Sequence, residues 1–450
     1  MESGRFDLAL INFRKASALE PDKLLTSVQI AWCLHKLKDY GAAIDVYEIV
    51  LQQRPDYGVA HAYLALALAE VGRQQEAVEE IRRGFRTQPR MEHRGFFEFR
   101  LGQLLSGLNR YEEAVEPLQD LVRARPNDAS ARYSLGYAYG QLQRYDDALK
   151  EFQESDRLHP NWPGTLYSLG VSFAAIGQFD KAVVQYLQAI QLDPMDADTH
   201  FNLGVAYGQL GQHDDEIAEY KKAAAISPDD FTILINLALA YSQSGRHEAA
   251  IAAWNNMIES KPEDIAALTG LSLEYERLGR YHEGLELAEK VARINPNSAI
   301  SQGNVASFQN RLGNYNDALK IARYAIELDP NFPDAHGHAG FALNELGDHN
   351  AAVAEHLCVL KLRPDSVHAF VNLGCSYLEL GRNLDAVESL RRAIELKPDC
   401  IEAHDNLGAA LLKNGDRSGA LEQLRIVKQL NSNFEGELSK QFAAEANPPR

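Results

Sequence analysis

The sequence predicts an all-α chain built from stacked helix–turn–helix repeats, and three observations carry that prediction. Proline returns at a fixed interval: Pro21, Pro55, Pro89, Pro126, Pro160, Pro194, Pro228, Pro262, Pro296, Pro330, Pro364 and Pro398, each step 34 residues except 37 from Pro89 to Pro126. Two columns of small residues keep the same phase, one running through Ala31, Ala65, Gly136, Gly170 and Gly204, the other through Ala43, Ala77, Ala148, Ala182 and Ala250. Glycines at 72, 177, 211, 245, 279, 313, 347, 381 and 415 fall midway between the prolines. A fixed period of this size marks a repeat array rather than a few separate domains.

Residues 163–196 show the unit most clearly. Leu166, Leu169, Gly170 and Phe173 recur at i, i+3, i+4 and i+7, a single apolar face at helical period. Gly177 ends that helix, because glycine takes the left-handed C′ conformation without a Cβ penalty. Ala182, Val183, Tyr186, Ala189 and Ile190 give a second helix its own apolar face. Asp193-Pro194 stops it, since the residue before proline is pushed out of the α region. At roughly 13 residues neither helix is stable alone, so each must bury its face on the other and the remainder on the next repeat.

The pattern resembles the tetratricopeptide repeat, with its small residue, alanine and proline at matching offsets over residues 1 to about 434. Its aromatic-rich turn is visible in Arg110-Tyr111, Arg144-Tyr145, Arg280-Tyr281 and Asn314-Tyr315, while its tryptophan is replaced by Leu166, His200, Leu234, His336 and His404. The resemblance implies a right-handed α–α superhelical solenoid of about twelve 34-residue repeats, with a concave groove that binds other proteins. The expected organisation is a partial repeat in residues 1–23 (a second helix only), twelve repeats in 24–433 with an insertion near 90–95, and a capping helix with tail in 434–450. The opening is read as a truncated form or as a chain continued upstream, and the short Pro-rich end as a true C-terminus. Phe434, Leu438 and Phe442 share the face of the cap that a solenoid's last repeat requires. Glu216 stands in the alanine column, where a carboxylate is expected to crowd the helix contact, so that alanine would be stabilising there.

Composition narrows the function. The 450 residues carry a net charge of −18, with 24% charged and 45% hydrophobic residues, which argues against nucleic acid as a partner because that needs a basic footprint. No stretch approaches the ~20 apolar residues of a membrane span, and residues 1–14 lack the long apolar core of a secretory signal, so none is expected. Cys33, Cys358, Cys375 and Cys400 are far apart and form no CxxC pair, so a reduced, cytoplasmic setting is expected. There is no Gly-Lys dipeptide and hence no P-loop. His247-Glu248 and His282-Glu283 begin like HExxH, but Ile251 and Glu286 fill the fifth position and cannot serve as its second histidine. His336 with His338, and His349 with His356, are spaced wrongly to share a metal, and the histidines are read as packing or surface residues. No enzyme activity, cofactor or metal is expected.

Candidate binding residues lie on the first helix of each repeat. Asn202, Asn236, Asn304, Asn372 and Asn406 form one column, shared with Ser134, Ser168 and His338. Asparagine offers donors and an acceptor, so such a column can bond an extended peptide's backbone; the alternative is a bond within its own repeat. The column resembles the asparagine ladder of O-linked N-acetylglucosamine transferase repeats. Beside it run Phe99, Tyr133, Tyr167 and Phe201, with Tyr137 one turn on from Tyr133, as anchors for a partner's side chains or as core. The carboxylate clamp of the co-chaperone subtype is missing, since Tyr133, Tyr167, Phe201 and Ile235 hold its lysine places. Arg82, Arg83, Arg86, Arg90, Arg94 and Arg100 make a candidate basic patch around the insertion, or an ordinary solvated connection. The function read from this is a scaffold that binds extended peptides or protein partners in its groove. One alternative is the substrate-recruiting arm of a larger glycosyltransferase; another is a self-associating structural solenoid.

Overall fold

Helix pairs follow one another along the chain, and the computed structural model describes them over residues 3–20, 23–432, 434, 436, 438 and 440, with side chains from residue 5. Twenty-five helices and no strand lie among the described residues, from Ser3–Leu19 to Arg417–Leu430. The chain divides into two compact units, Met1–Asp229 and Asp230–Arg450. Within each unit every helix packs on the next. Among the described residues no helix is long and apolar enough to cross a membrane, and the four thiols are free, with Cys33 and Cys400 buried and Cys358 exposed. Pro21, Phe442 and the tail from Asn447 lie outside the described residues.

Steric fit explains the small columns. In the repeat of residues 163–196 the helices are Pro163–Ala175 and Phe179–Leu192, and the Tyr186 ring fills the space where a Cβ on Gly170 would stand. The same relation places Leu118 on Gly102, Phe152 on Gly136, Tyr220 on Gly204, His356 on Gly340 and Leu390 on Gly374. The alanines at 43, 77, 114, 148 and 182 in the first unit, and at 250, 318, 352, 386 and 420 in the second, are all 0% exposed. Leu438, also 0% exposed, fills the space above Gly408 that a second-helix side chain takes elsewhere.

The insertion is absorbed in two places. The connection of residues 88–93 has six residues where that of residues 193–196 has four, and the helix it feeds, Arg94–Gly107, has 14 residues against 13 for Ala197–Gln209. Met91 turns inward to 4% exposure beside Gly84, so the extra residues bring their own apolar plug.

Glu216 corrects an expectation. Its carboxylate is not crowded: a Cβ on Gly208 would lie 2.6 Å from its Oε1, so the glycine supplies the room, and Oε2 is 2.8 Å from His213 Nδ1. Glu216→Ala therefore leaves a void and an unpaired histidine, and is expected to lower the melting midpoint rather than raise it. Gly208→Ala should stabilise more in the Glu216→Ala background than in the wild type, a coupling that a double-mutant cycle of thermal melts measures.

The turns between helices follow glycine's freedom. All nine predicted turn glycines have φ between 70° and 86°, the left-handed region that costs an L-residue roughly 1–2 kcal/mol. Lys38, Asn109 and Gln143 occupy the same turn position in the first unit with φ of 65°, 57° and 59°. A Cβ at Gly177 would meet nothing within 4 Å, so Gly177→Ala isolates the backbone term. Denaturant titration should show Gly177→Ala destabilised by about 1 kcal/mol and Gln143→Gly stabilised by a similar amount; equal stability of all three proteins would refute the conformational account.

Candidate functional site

In the second unit four successive first helices, Ile265–Arg277, Ala299–Arg311, Pro333–Glu345 and Val367–Glu379, line one cavity of about 680 Å3. Its origin lies one position before the asparagine column. That position holds Tyr133, Tyr167 and Phe201 in the first unit, but Ile235, Thr269, Gly303, Gly337, Val371 and Asp405 in the second, with the Phe332 ring filling the space at Gly303. In the first unit each ring lies on an aromatic 19 residues on: Tyr133 on Phe152 at 5.5 Å between centroids, Tyr167 on Tyr186 at 6.1 Å, Phe201 on Tyr220 at 5.5 Å. In the second unit the equivalent of Tyr186 is His356, and Gly337 puts no ring over it. The aromatic stripe ends and a cavity begins.

Asn304 and Asn372 both line this cavity, with His338 of the same column between them. All five ladder asparagines are half-buried, but they are not equivalent. Asn202 gives its amide hydrogens to Asp198 O at 2.8 Å and Tyr167 Oη at 3.2 Å, and Asn236 donates to Thr232 O at 2.8 Å. Each thus makes the within-repeat bond that was the alternative reading, and Asn202 adds one to the preceding repeat. In the aromatic stripe Tyr133 packs between Phe152 and Trp162, and Phe99, Tyr133 and Tyr167 back onto the core. Tyr137 alone among them is exposed, edge-on to Tyr111.

Two polar groups buried beside the cavity are unsatisfied. His356 is 0% exposed, and neither of its ring nitrogens has a hydrogen-bond partner. Burial pushes its pKa down to about 4, so the ring is neutral at physiological pH, with one donor and one acceptor. Asn310 donates through Nδ2 to His338 O at 3.0 Å. A carbonyl can only accept, which fixes the amide's orientation and leaves Oδ1 as a buried acceptor without a partner. Burial also lowers the pKa of His338.

The arginine cluster is largely neutralised. Arg82 pairs with Glu113 at 2.6 Å, Arg83 with Glu80 at 2.7 Å, Arg94 with Glu98 at 2.7 Å and Arg100 with Glu70 at 3.7 Å. Arg94 also lies over the Phe85 ring. Arg86 and Arg90 are exposed.

One recurring site was missed in the sequence. His61, His200 and His336 each set Nδ1 against a glutamate 19 residues on, at 2.5, 2.6 and 2.6 Å, and Nε2 against the carbonyl of the proline six residues back, at 2.9, 3.2 and 3.0 Å. His404 does the same with Gln423 and Pro398, and Arg132 with Glu151 and Pro126. The fixed offsets of −6 and +19 were the available signal. This bracket ties the connection that enters a repeat to its second helix.

At His61 both partners are acceptors, so the doubly protonated ring suits them best. Burial lowers its pKa, but the hydrogen bond to Glu80, the Pro55 carbonyl and the Glu80 charge outweigh this, and the net shift is upward from 6.5. A histidine whose folded pKa is raised contributes stability fully present below pH 6.5 and lost as pH rises through the folded value. The stability difference between wild type and His61→Leu, read from urea melts at pH 5.5 to 8.5, should be largest at the acid end. A difference that grows with pH would contradict the bracket.

These features define a helical-repeat protein whose first helices present a partly open, partly unsatisfied face. Sequence models described as tetratricopeptide repeat match residues 36–89, 99–163, 235–299 and 197–230, and one described as TPR repeat matches 172–211 and 375–415. The chain belongs to the tetratricopeptide repeat family, whose members generally mediate protein–protein interaction. It is 32% identical over 91 residues, 20% of its length, to small glutamine-rich tetratricopeptide repeat-containing protein 2 of Mycosarcoma maydis. The chain spans 25% of the length of that relative. Among solved structures it is similar to the APC/C hetero-tetramer Cut9–Hcn1, with 13% identity and a TM-score of 0.48 over 99% of this chain and 93% of that one. It is also similar to yeast Tom70, with 16% identity and a TM-score of 0.45 over 95% and 96%. Among the described residues no group of three or more His, Cys, Asp or Glu is placed to hold a metal ion.

Proposed function

We propose that the chain is a non-enzymatic scaffold that holds extended peptide segments or protein partners against the first-helix face, in a cytoplasmic setting. The observation that carries this is the alignment of Asn304, His338 and Asn372 along one open cavity. Three polar side chains at one-repeat spacing can bond a peptide backbone repeatedly, each bond contributing ~0.5–1.5 kcal/mol towards the cost of ordering the peptide. The ladder continues as Asn202, Asn236 and Asn406, with Tyr133, Tyr137, Tyr167 and Phe201 as apolar anchors in the first unit. The arginine cluster is a secondary surface, weakened by its internal ion pairs.

Affinity capture from source-cell lysate tests the reading, with wild type beside a variant carrying Asn202→Ala, Asn236→Ala, Asn304→Ala and Asn372→Ala. Circular dichroism checks that the variant stays helical. Partners should be lost from the folded variant; their retention would move binding off the ladder. A second reading, self-association through the opening helix, is supported by Leu8 and Ile11, which are 64% and 50% exposed on Ser3–Leu19. Mass from light scattering that rises with concentration would favour it.

A further inference from the structure

Leu8 and Ile11 stand where later repeats carry charge. They lie three residues apart on one face of Ser3–Leu19, exposed by 64% and 50%. The position of Leu8 holds Glu76, Glu113, Asp147 and Glu283 further along the chain, and that of Ile11 holds Asp45, Glu79, Glu116 and Glu286. These positions stay open even with a repeat on either side, since the side chains of Glu113, Asp147 and Glu283 are 42%, 37% and 45% exposed. Stacking of repeats therefore does not cover this face, and a contact from outside the array must. Single exposed apolar residues are ordinary, but an adjacent pair in place of two charges marks an interaction surface.

We propose that this face pairs with the same face of a second copy of the chain, the two Ser3–Leu19 helices running antiparallel across a two-fold axis. The inference rests on the self-association reading and names the surface that meets it. Charge selects this occupant. Asp7 and Arg14 are two turns apart on one flank of the Leu8–Ile11 stripe. Both are exposed, and neither has an ion pair among the described residues. An antiparallel pair that sets Leu8 against Ile11 of the other copy brings each Asp7 beside the other copy's Arg14, so the ion pair forms twice. A parallel pair sets like charge beside like charge, and flanking charges of this kind decide orientation between paired helices. One helix thus carries both halves of its own complement, which a two-fold contact requires. Lys15 continues the stripe one turn beyond Ile11, and its long stem lets the ammonium group reach water. A single helix pair buries less than the ~1,200 Å2 of a stable interface, so the dimer is weak, and its two-fold axis stops growth at two chains.

Sedimentation equilibrium of the full chain, taken up to about 1 mM, tests the pair. The fitted mass should rise with concentration and level at twice that of one chain. Leu8→Glu with Ile11→Glu, which copies the acidic residues of later repeats, should leave a monomer with helical dichroism and melting midpoint unchanged. Asp7→Arg alone, or Arg14→Asp alone, should weaken the dimer about tenfold, because each turns both ion pairs into like-charge pairs. The two substitutions together in one chain should restore it.

A chain that stays monomeric throughout overturns the pair and the self-association reading together. A mass that climbs past two chains overturns the closed pair and leaves self-association standing. A dimer that survives Leu8→Glu with Ile11→Glu places the contact elsewhere. One that keeps its strength through both single charge reversals, or is not restored by their combination, excludes the antiparallel match. The groove reading is untouched by any of these results and is decided by lysate capture with the asparagine variant.

Discussion

The contact on which everything else depends is a side chain of one helix seated where its neighbour has no Cβ. Leu118, Phe152, Tyr186, Tyr220, His356 and Leu390 each occupy the space above a glycine. That seat sets how close the two helices approach, and the alanine columns, 0% exposed, hold the same distance elsewhere along the pair. Because interiors are packed like crystals, one added methylene is felt. The repeat therefore tolerates variety in what sits on the glycine but not in the glycine's size. An aromatic, an aliphatic and a histidine have all been accepted there.

The cavity follows from a substitution at a different position. A histidine seated on Gly340 would be innocuous beneath a ring, as Tyr186 is beneath Tyr167. With Gly337 in the place of that ring, the same histidine lies beside a cavity, still 0% exposed and with its ring edge against Gly340. Two small departures from the repeat thus meet at the edge of one cavity. Glu216 and Gly208 show the same logic in the opposite sense, where one departure makes room for the other and the surface closes.

Much of the fold was legible because period and phase are properties of sequence. The 34-residue spacing, the small columns and the turn glycines all reappear, the last with the left-handed φ they were assigned. What escaped detection was pairwise. The Glu216 expectation failed because the compensating residue, Gly208, lies on a different helix and is unremarkable by itself. The histidine brackets escaped because His61, His200, His336 and His404 were read singly rather than at their offsets of −6 and +19. Within the candidate site the asparagine column was visible, but not which of its members spend their amide hydrogens on their own helix, as Asn202 and Asn236 do. The aromatic stripe was visible too, while its replacement by Gly303 and Gly337 went unread, because a missing side chain leaves no signal in a column searched for what is present.

The turn glycines carry one more consequence. A Cβ on any of the nine would meet nothing within 4 Å, so the chain there is surrounded by open solvent as well as free of strain. Lengthening a surface loop costs little, since closure entropy grows only slowly with length, and exposed turns are where insertions are tolerated. The repeat thus carries nine sites at which new loops, tags or whole domains could be grafted without disturbing the helix contacts. The array can be extended sideways as readily as end to end.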